Sequence, residues 1–492
     1  MRVLLVTPPY HAGVVESAGS WPHLGFIYIA GEVRRAGFEV AIYDAMSEEH
    51  TLDEIRQHLR DFRPDVVAVS AKTPALYAAV SVARAAKEEV PGVSTVLGGI
   101  HPTFCYREVL RDYSEVDYVV RGEGEQTLPE LLTALDGQRD QLSAVRGIAY
   151  RDRDTGTVVA TLPRPFIRDL DSLAPAWDLV RWSDYKLHFV PGSRVATVSS
   201  SRGCTNECRF CSQQKFWQRS HRGRQAGHFV AEVEHLHERY GVDYVMLTDE
   251  YPTRDRPRWE AILDGLIERR LPVRLLIETC VSDIIRDADI LEKYRSAGVW
   301  HIYVGVEGTR QERLDLFKKD IKCEQSRQAI HLINQADIIS ETSFILGVPE
   351  ETPESIADTL ELSRYFDPDY AHFLMLAPWP FADMYMELQP YIETYDLSRY
   401  NLVEPVMRPM AMTREELMAA SVDCYRQFYM RKLPTWHALS AGFKRQYLLG
   451  SMEAMLERSF LRKHGHGLGA MPAEVARHLK EISEARERLA TL

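Results

Sequence analysis

The chain has 492 residues, is 45% apolar and 26% charged, and carries a formal net charge of −12. These figures describe a globular chain of roughly two to four domains, point away from nucleic acid and anionic membranes, and leave no apolar run of membrane-spanning length. Seven cysteines in such a length do not make a disulfide scaffold. Met1-Arg2-Val3-Leu4-Leu5-Val6 flows directly into a strand and does not read as a leader, so the expected location is the cytoplasm.

Residues 1–140 read as one α/β domain. Near-continuous apolar runs at 2–7, 40–43, 65–70, 95–99 and 116–120 alternate with helix-period stretches at 24–36, 52–61 and 75–89. Strands that are apolar throughout belong to a parallel sheet covered on both faces, here a doubly wound one. Their C-terminal ends are small and polar: Ser70 with Thr73, then Gly98 and Gly99, then Gly122, Glu123 and Gly124. In a doubly wound sheet such ends line the ligand crevice. No G-x-G-x-x-G follows the first strand, which disfavours a dinucleotide.

Residues 141–193 read as a linker. Ile148–Arg151 and Val158–Ala160 bracket a turn and predict a β-hairpin, followed by a proline-interrupted extended stretch with Trp177, Trp182 and Tyr185 as anchors.

The apolar run Val195–Val198 then leads into three cysteines, Cys204, Cys208 and Cys211, spaced C-x3-C-x2-C. Three thiolates can hold three irons of a four-iron cluster and leave the fourth open. Zinc, or three unrelated thiols, is the alternative, but zinc asks for a fourth ligand and no close Cys or His supplies one. Five more strands follow at 244–250, 273–279, 301–308, 342–349 and 371–378, separated by helical segments. Six βα units over residues 194–385 predict a partial barrel, whose C-terminal strand ends would carry the site. Asp249, Glu250, Gly305 and Glu307 fall at those ends, and Cys280 at another. Residues 386–492 are rich in helix formers, including 414–418, 426–430 and 472–489, and predict a helical region covering the open side of the barrel. His464-Gly465-His466 reads as a solvated turn.

The cysteine spacing, with Phe210 just before the last cysteine, resembles the signature of radical S-adenosylmethionine (SAM) enzymes. The first domain, with its D-V-V-x-x-S, L-G-G-x-H-P and R-G-E-G-E stretches, resembles the cobalamin-binding domain that precedes many of them. Gln213, Lys215, Phe216 and Trp217, the stretch Trp379-Pro380-Phe381 and the run 400–407 resemble one subgroup. That subgroup contains the anaerobic magnesium-protoporphyrin IX monomethyl ester oxidative cyclase and related C-methyltransferases. The likeness covers residues 1 to about 430. It departs at the Thr-Asn-Glu between Cys204 and Cys208, at Cys280 where relatives carry Arg, and in the tail, which suggests a paralogue of the cyclase.

The resemblance implies a [4Fe-4S] cluster on Cys204, Cys208 and Cys211. It implies SAM held by Asp249, Glu250, Gly305 and Glu307, and cobalamin (as methylcobalamin) along Ser70, Thr73, Gly98, Gly99, Gly122, Glu123 and Gly124. The D-x-H-x-x-G motif whose His ligates cobalt is absent, although His11, His23 and His101 are present. The implied activity is C-methylation of a ring-containing small molecule, pyrrolic or otherwise heteroaromatic, by a radical SAM methyltransferase. Oxidative cyclisation of a magnesium porphyrin, and a non-catalytic cobalamin or iron-sulfur sensor, are the alternatives. An external one-electron reductant of flavodoxin or ferredoxin type would be the partner.

Overall fold

The computed structural model describes residues 1–12, 17–137 and 139–463. The chain divides into two compact units. The first comprises Met1–His11, Pro22–Asp184 and Asp396–Ser398; the second comprises Ala12–Trp21, Tyr185–Tyr395 and the chain from Arg399 on.

The first unit is built on a seven-stranded sheet: β1 (Arg2–Thr7), β2 (Glu39–Asp44), β3 (Val66–Ser70), β4 (Ser94–Gly98), β5 (Tyr118–Val120), β6 (Ile148–Arg151) and β7 (Val158–Ala160), in the order β2-β1-β3-β4-β5-β6-β7. The first five are parallel; β6 and β7 are antiparallel. The hairpin predicted in the linker thus extends the first sheet, and the compact unit runs on to Asp184. Successive strand side chains alternate between two cores. Leu4, Val6, Val67, Val69 and Leu97 pack with Ile55, Leu59, Ala79 and Ala83 on one face, while Val3, Leu5, Val66, Ala68 and Val96 pack with Phe26, Val33, Leu128 and Leu131 on the other. Both faces being buried explains why the strands carry no polar alternation. The order reverses between β1 and β3, so Thr7 and Ser70 stand at the switch point where such sheets bind ligands.

The second unit is a six-stranded parallel sheet of β8 (Val195–Val198), β11 (Tyr244–Leu247), β12 (Arg274–Cys280), β13 (Val299–Gly305), β14 (Ile339–Leu346) and β15 (Tyr370–Met375), in the order β15-β14-β13-β12-β11-β8. It is an open barrel, since β8 and β15 do not pair. Two short strands, β9 (Ser201–Arg202) and β10 (Arg222–Gly223), pair antiparallel beside it. The predicted helices at 414–418 and 426–430 are one helix, Arg414–Ala438, which covers the outer strand β15. Its tyrosines take up that strand's edge: Tyr429 Oη meets the Ala371 N–H and C=O at 3.2 and 3.0 Å, and Tyr425 Oη accepts the Phe373 N–H at 3.1 Å. An uncovered edge would be a pairing template for another chain. The helix Phe443–Arg458 packs on Arg414–Ala438 and supplies Phe443 and Tyr447 at the N-terminal ends of the strands. The expected helix 472–489 and the turn at His464 and His466 lie outside the described residues. Among the described residues, no helix is long and apolar enough to cross a membrane.

Two histidines of the first unit are held in the neutral state. His101 is buried, with Nδ1 3.1 Å from Thr73 Oγ1, and His23 caps the helix Leu24–Arg35 by accepting the Phe26 N–H at 3.1 Å. Burial pulls both imidazoles down to about 4. An unfolded imidazole protonates near 6.5, so between about pH 6.5 and pH 4 the unfolded chain binds the extra protons. Stability should therefore fall as the pH drops through that window, by about 1.4 kcal/mol per pH unit for each such histidine, and level off below it. Denaturation of the protein at pH 7, 6 and 5 checks this. His101→Gln should flatten the slope, and an unchanged slope would show that His101 is not a source.

Candidate functional site

The cysteine loop, residues 203–221, leaves and returns through the β9–β10 ribbon, where Arg202 pairs with Arg222 and Ser201 with Gly223. Gly203 starts it at φ +97°, and a Cβ there would fall 2.1 Å from the Ser220 carbonyl oxygen, so the entry turn requires glycine. Two successive carboxylates at the end of β11 hold this entry. Asp249 is buried and accepts the Ser200 N–H at 2.8 Å, the Ser200 hydroxyl at 2.7 Å and the Ser201 hydroxyl at 2.5 Å. Glu250 accepts the Gly203 N–H at 3.0 Å through one oxygen and the Trp217 indole N–H at 2.7 Å through the other. The resemblance predicts both carboxylates at the SAM amino group; in the structure their oxygens are engaged by the loop itself. Burial raises the pKa of each above its ordinary value, against the pull of those hydrogen bonds.

The far side of the loop is docked on later segments. Arg209 N–H donates to the Phe317 carbonyl at 3.0 Å, and Phe210 packs edge-on against Phe317 with ring centroids 5.1 Å apart. Gln214 Nε2 donates to the Cys208 carbonyl at 3.1 Å and to Asp383 Oδ2 at 2.7 Å. The three thiols are close enough to act on one another electrostatically. Burial pushes Cys204 up to about 12 and Cys208 up to about 11, and raises Cys211 as well. Such thiols become thiolates only beside a strong local positive charge, which bound iron supplies. Among the described residues, no three His, Cys, Asp or Glu side chains converge on a point that could hold a single ion. Three thiols with no close fourth Cys or His fit three ligands of a polynuclear cluster better than mononuclear zinc.

Facing the loop are the ends of β12 and β13. Cys280 accepts a 3.3 Å bond from Asn206, which lies between Cys204 and Cys208. Lys319 Nζ stands 3.1 Å from Glu307 Oε1. Burial pulls the Lys319 ammonium down, but Glu307 and the thiols of Cys208 and Cys280 outweigh it and raise its pKa. Glu307 has φ +65°, bridges to Phe344, and accepts the Ser343 hydroxyl at 3.1 Å through Oε2. A Cβ on Gly305 would lie 2.6 Å from Glu307 Oε1 and 2.8 Å from Lys319 Nζ, so that glycine makes room for the ion pair.

In the first unit the predicted crevice residues fall into two groups. Ser70 and Gly98 are register partners at the ends of β3 and β4, and Gly122, at φ +79°, follows β5 with nothing within 4 Å of a Cβ position. Gly122 thus borders open space, and Ser70 and Gly98 stand side by side, partly exposed, at their strand ends. The others serve the protein: Thr73 is buried against His101, Gly99 lies where a Cβ would meet the Ala71 carbonyl at 2.7 Å, Gly124 abuts Ile29, and Glu123 Oε2 accepts the Ile167 N–H at 2.7 Å.

The sequence reading missed a polar column inside the barrel. On β12 the helix-facing positions Leu275, Ile277 and Thr279 are buried, while Arg274, Leu276, Glu278 and Cys280 are more accessible. Arg274, Leu276 and Glu278 line a cavity of about 400 Å³. Its wall carries Glu341, with Oε1 2.5 Å from His372 Nε2 and Oε2 2.9 Å from His301 Nε2. Burial works against the Glu341 charge, but the two imidazoles overcome it and hold the carboxyl far below its usual range. The signal was available: Arg274 and Glu278, His301 and Tyr303, and Glu341 and Ser343 are polar residues at even spacing within apolar strands.

Glu250→Gln separates loop anchoring from ligand contact. The amide keeps one acceptor and turns a donor toward Gly203 N–H or Trp217 Nε1, at a cost of roughly 1–3 kcal/mol. Iron retained per chain after anaerobic reconstitution should fall severalfold; full iron retention would show that the loop does not depend on Glu250.

Residues 10–132 match the family described as B12 binding domain, and residues 198–363 match the radical SAM superfamily. The chain is 40% identical over 467 residues to the anaerobic magnesium-protoporphyrin IX monomethyl ester cyclase of Rubrivivax gelatinosus, covering 94% of this chain and 84% of that protein. It is 30% identical over 435 residues to an uncharacterized methyltransferase of Pyrococcus horikoshii, covering 88% and 93%. In fold it is similar to the radical SAM methyltransferase TsrM from Kitasatospora setae, with TM-score 0.69 over 94% of this chain and 99% of that one, at 16% identity. Both domain matches and the full-length relatives agree with the two sheets described above: the chain belongs to the cobalamin-dependent radical SAM enzymes.

Proposed function

We propose that the protein is a C-methyltransferase acting on a ring-containing small molecule, with SAM, a [4Fe-4S] cluster and methylcobalamin as its cofactors. When bound, the cluster with SAM supplies a 5′-deoxyadenosyl radical able to take hydrogen from an unreactive carbon, and methylcobalamin supplies a transferable methyl group. The chain's own residues provide position and exclusion of solvent. Cys204, Cys208 and Cys211 would ligate three irons. Asp249 and Glu250 fix the loop that presents them. Glu307, Gly305 and Lys319 border the place left for SAM. Ser70, Gly98 and Gly122 would line the cobalamin crevice. An external one-electron carrier would supply reducing equivalents.

The observation that carries this reading is the barrel cavity. Its volume of about 400 Å³ and its aromatic lining suit a molecule of one or two rings. Oxidative cyclisation of a magnesium porphyrin is the second reading, favoured by the 40% identity to a cyclase over most of both chains.

An anaerobic assay with methyl-labelled SAM and a set of candidate ring substrates decides between them. Label should enter the product at one methyl per turnover. A product that has lost hydrogens and gained oxygen without label would overturn the proposal in favour of the cyclase. Cys204→Ala, Cys208→Ala and Cys211→Ala should each abolish SAM cleavage and the cluster's visible absorption while far-ultraviolet circular dichroism stays unchanged. Retained cleavage would remove the cluster assignment.

A further inference from the structure

The cavity inside the barrel has a wall whose hydrogen-bonding sense is fixed by the residues behind it. Tyr303 lines the cavity, at the fifth position of β13. Its hydroxyl oxygen lies 2.5 Å from Ser343 Oγ, Ser343 Oγ lies 3.1 Å from Glu307 Oε2, and Glu307 Oε1 lies 3.1 Å from Lys319 Nζ. Read from its far end, the chain has one direction. An ammonium only donates and a carboxylate only accepts. Ser343 must therefore give its single proton to Glu307. The Ser343 oxygen then accepts, and Tyr303 must donate to it. With its proton spent, the phenol has only lone pairs left to offer the cavity. Burial, and then the Glu307 charge, keep the Tyr303 phenol protonated, its pKa well above the ordinary value.

The neighbouring wall has the same sense. Glu341 presents a carboxylate held in place by His301 and His372, and Tyr303 is its cross-strand partner in the β13–β14 register. The rest of the lining is mixed: Trp300, Tyr370, Tyr425 and Phe443 are aromatic, Ser17, Ser451 and Ser459 are polar, and the Arg274 guanidinium, with its buried Nε unpartnered, is a donor. A buried acceptor left unmatched by its ligand costs free energy, so the side of the cavity formed by Tyr303 and Glu341 selects for a donor.

We propose that this cavity binds a small planar aromatic bearing a ring N–H, of the pyrrole or indole class, and that Tyr303 is the acceptor that reads the N–H. Lys319, Glu307 and Ser343 are positioning residues that lock Tyr303 in its accepting role. The proposal rests on the reading that the barrel takes a ring-bearing molecule. It adds which polar edge that ring presents and which residue recognises it.

The test is binding to the full-length, anaerobically reconstituted protein, and needs no turnover. Dissociation constants are measured by calorimetry and ligand-observed NMR for three probes of one shape: indole, 1-methylindole and benzofuran. Indole should bind roughly tenfold more tightly than benzofuran, and 1-methylindole should be the poorest ligand. Tyr303→Phe should abolish the preference for indole over benzofuran, weakening indole while benzofuran binds at least as well as before. Ser343→Ala removes the obligatory acceptor, frees the Tyr303 proton to turn into the cavity, and should narrow the indole preference with the phenol still present. Equal affinity of indole and benzofuran for the unaltered protein overturns the proposal. So does the absence of binding by any probe at millimolar concentration, or an equal loss for both probes in Tyr303→Phe. Should Tyr303→Phe fail to fold, the Ser343→Ala comparison carries the same decision. Label transfer from SAM is scored separately: intact N–H discrimination without methyl transfer would fell only the methyltransferase reading, and methyl transfer without discrimination only this one.

Discussion

Two carboxylates in succession, Asp249 and Glu250, bear the geometry of the cysteine loop. A loop of nineteen residues (203–221) has many conformations to lose, and the short β9–β10 ribbon fixes only its stem. Asp249 collects three hydrogen bonds from Ser200 and Ser201, at the end of β8, and Glu250 collects one from Gly203 at the start of the loop and one from Trp217 near its return. Both sit at the end of β11, so the loop inherits the rigidity of the parallel sheet. Burying two acids side by side is costly, and each is satisfied by donors rather than by a counter-ion at hydrogen-bonding distance. A charge stabilised in this way needs its donors in place, which couples the entry of the cysteine loop to the folding of the strand next to it.

A second organising feature is the way polarity is sorted across the barrel. In the first unit both faces of the sheet are packed by helices, and its strands are apolar throughout. In the second unit one face is packed and the other borders a cavity, so polar side chains such as Arg274, Glu278, Tyr303 and Glu341 appear among the apolar ones on that face. Glu341 with its two histidines, and Tyr303 with Ser343, Glu307 and Lys319, run along that inner face toward the cysteine loop. The chemistry of the second unit thus lies on one continuous surface of one sheet, from the middle of the strands to their C-terminal ends.

Much of this was legible in the sequence, for physical reasons that differ from place to place. The strands of both sheets announce themselves because full burial demands apolar runs. The cysteine loop announces itself because iron ligation restricts residue type and spacing together. The roles of Asp249, Glu250, Glu123 and Thr73 were not legible. Each lies at a strand end where a ligand contact and a backbone anchor use the same side chain, and only the location of the donors tells the two apart. Glycines divide in the same way: Gly122 faces open space, whereas Gly99 and Gly305 yield room to neighbouring protein atoms. The helix Arg414–Ala438 was foreseen as a cover but not as the partner of an edge strand, because a tyrosine that caps a backbone is indistinguishable in sequence from one that fills a core.

That edge has a mechanical meaning. In a closed barrel, strand number and shear fix the radius through an unbroken ring of hydrogen bonds. Here the ring is interrupted between β8 and β15, and the exposed border of β15 is satisfied by the hydroxyls of Tyr425 and Tyr429. The girth of the lumen is therefore set by side-chain packing against a helix and not by a backbone circuit. A shift of that helix can change the bore without breaking a single strand pairing, so one six-stranded scaffold can be refitted to guests of different width by substitutions outside the sheet.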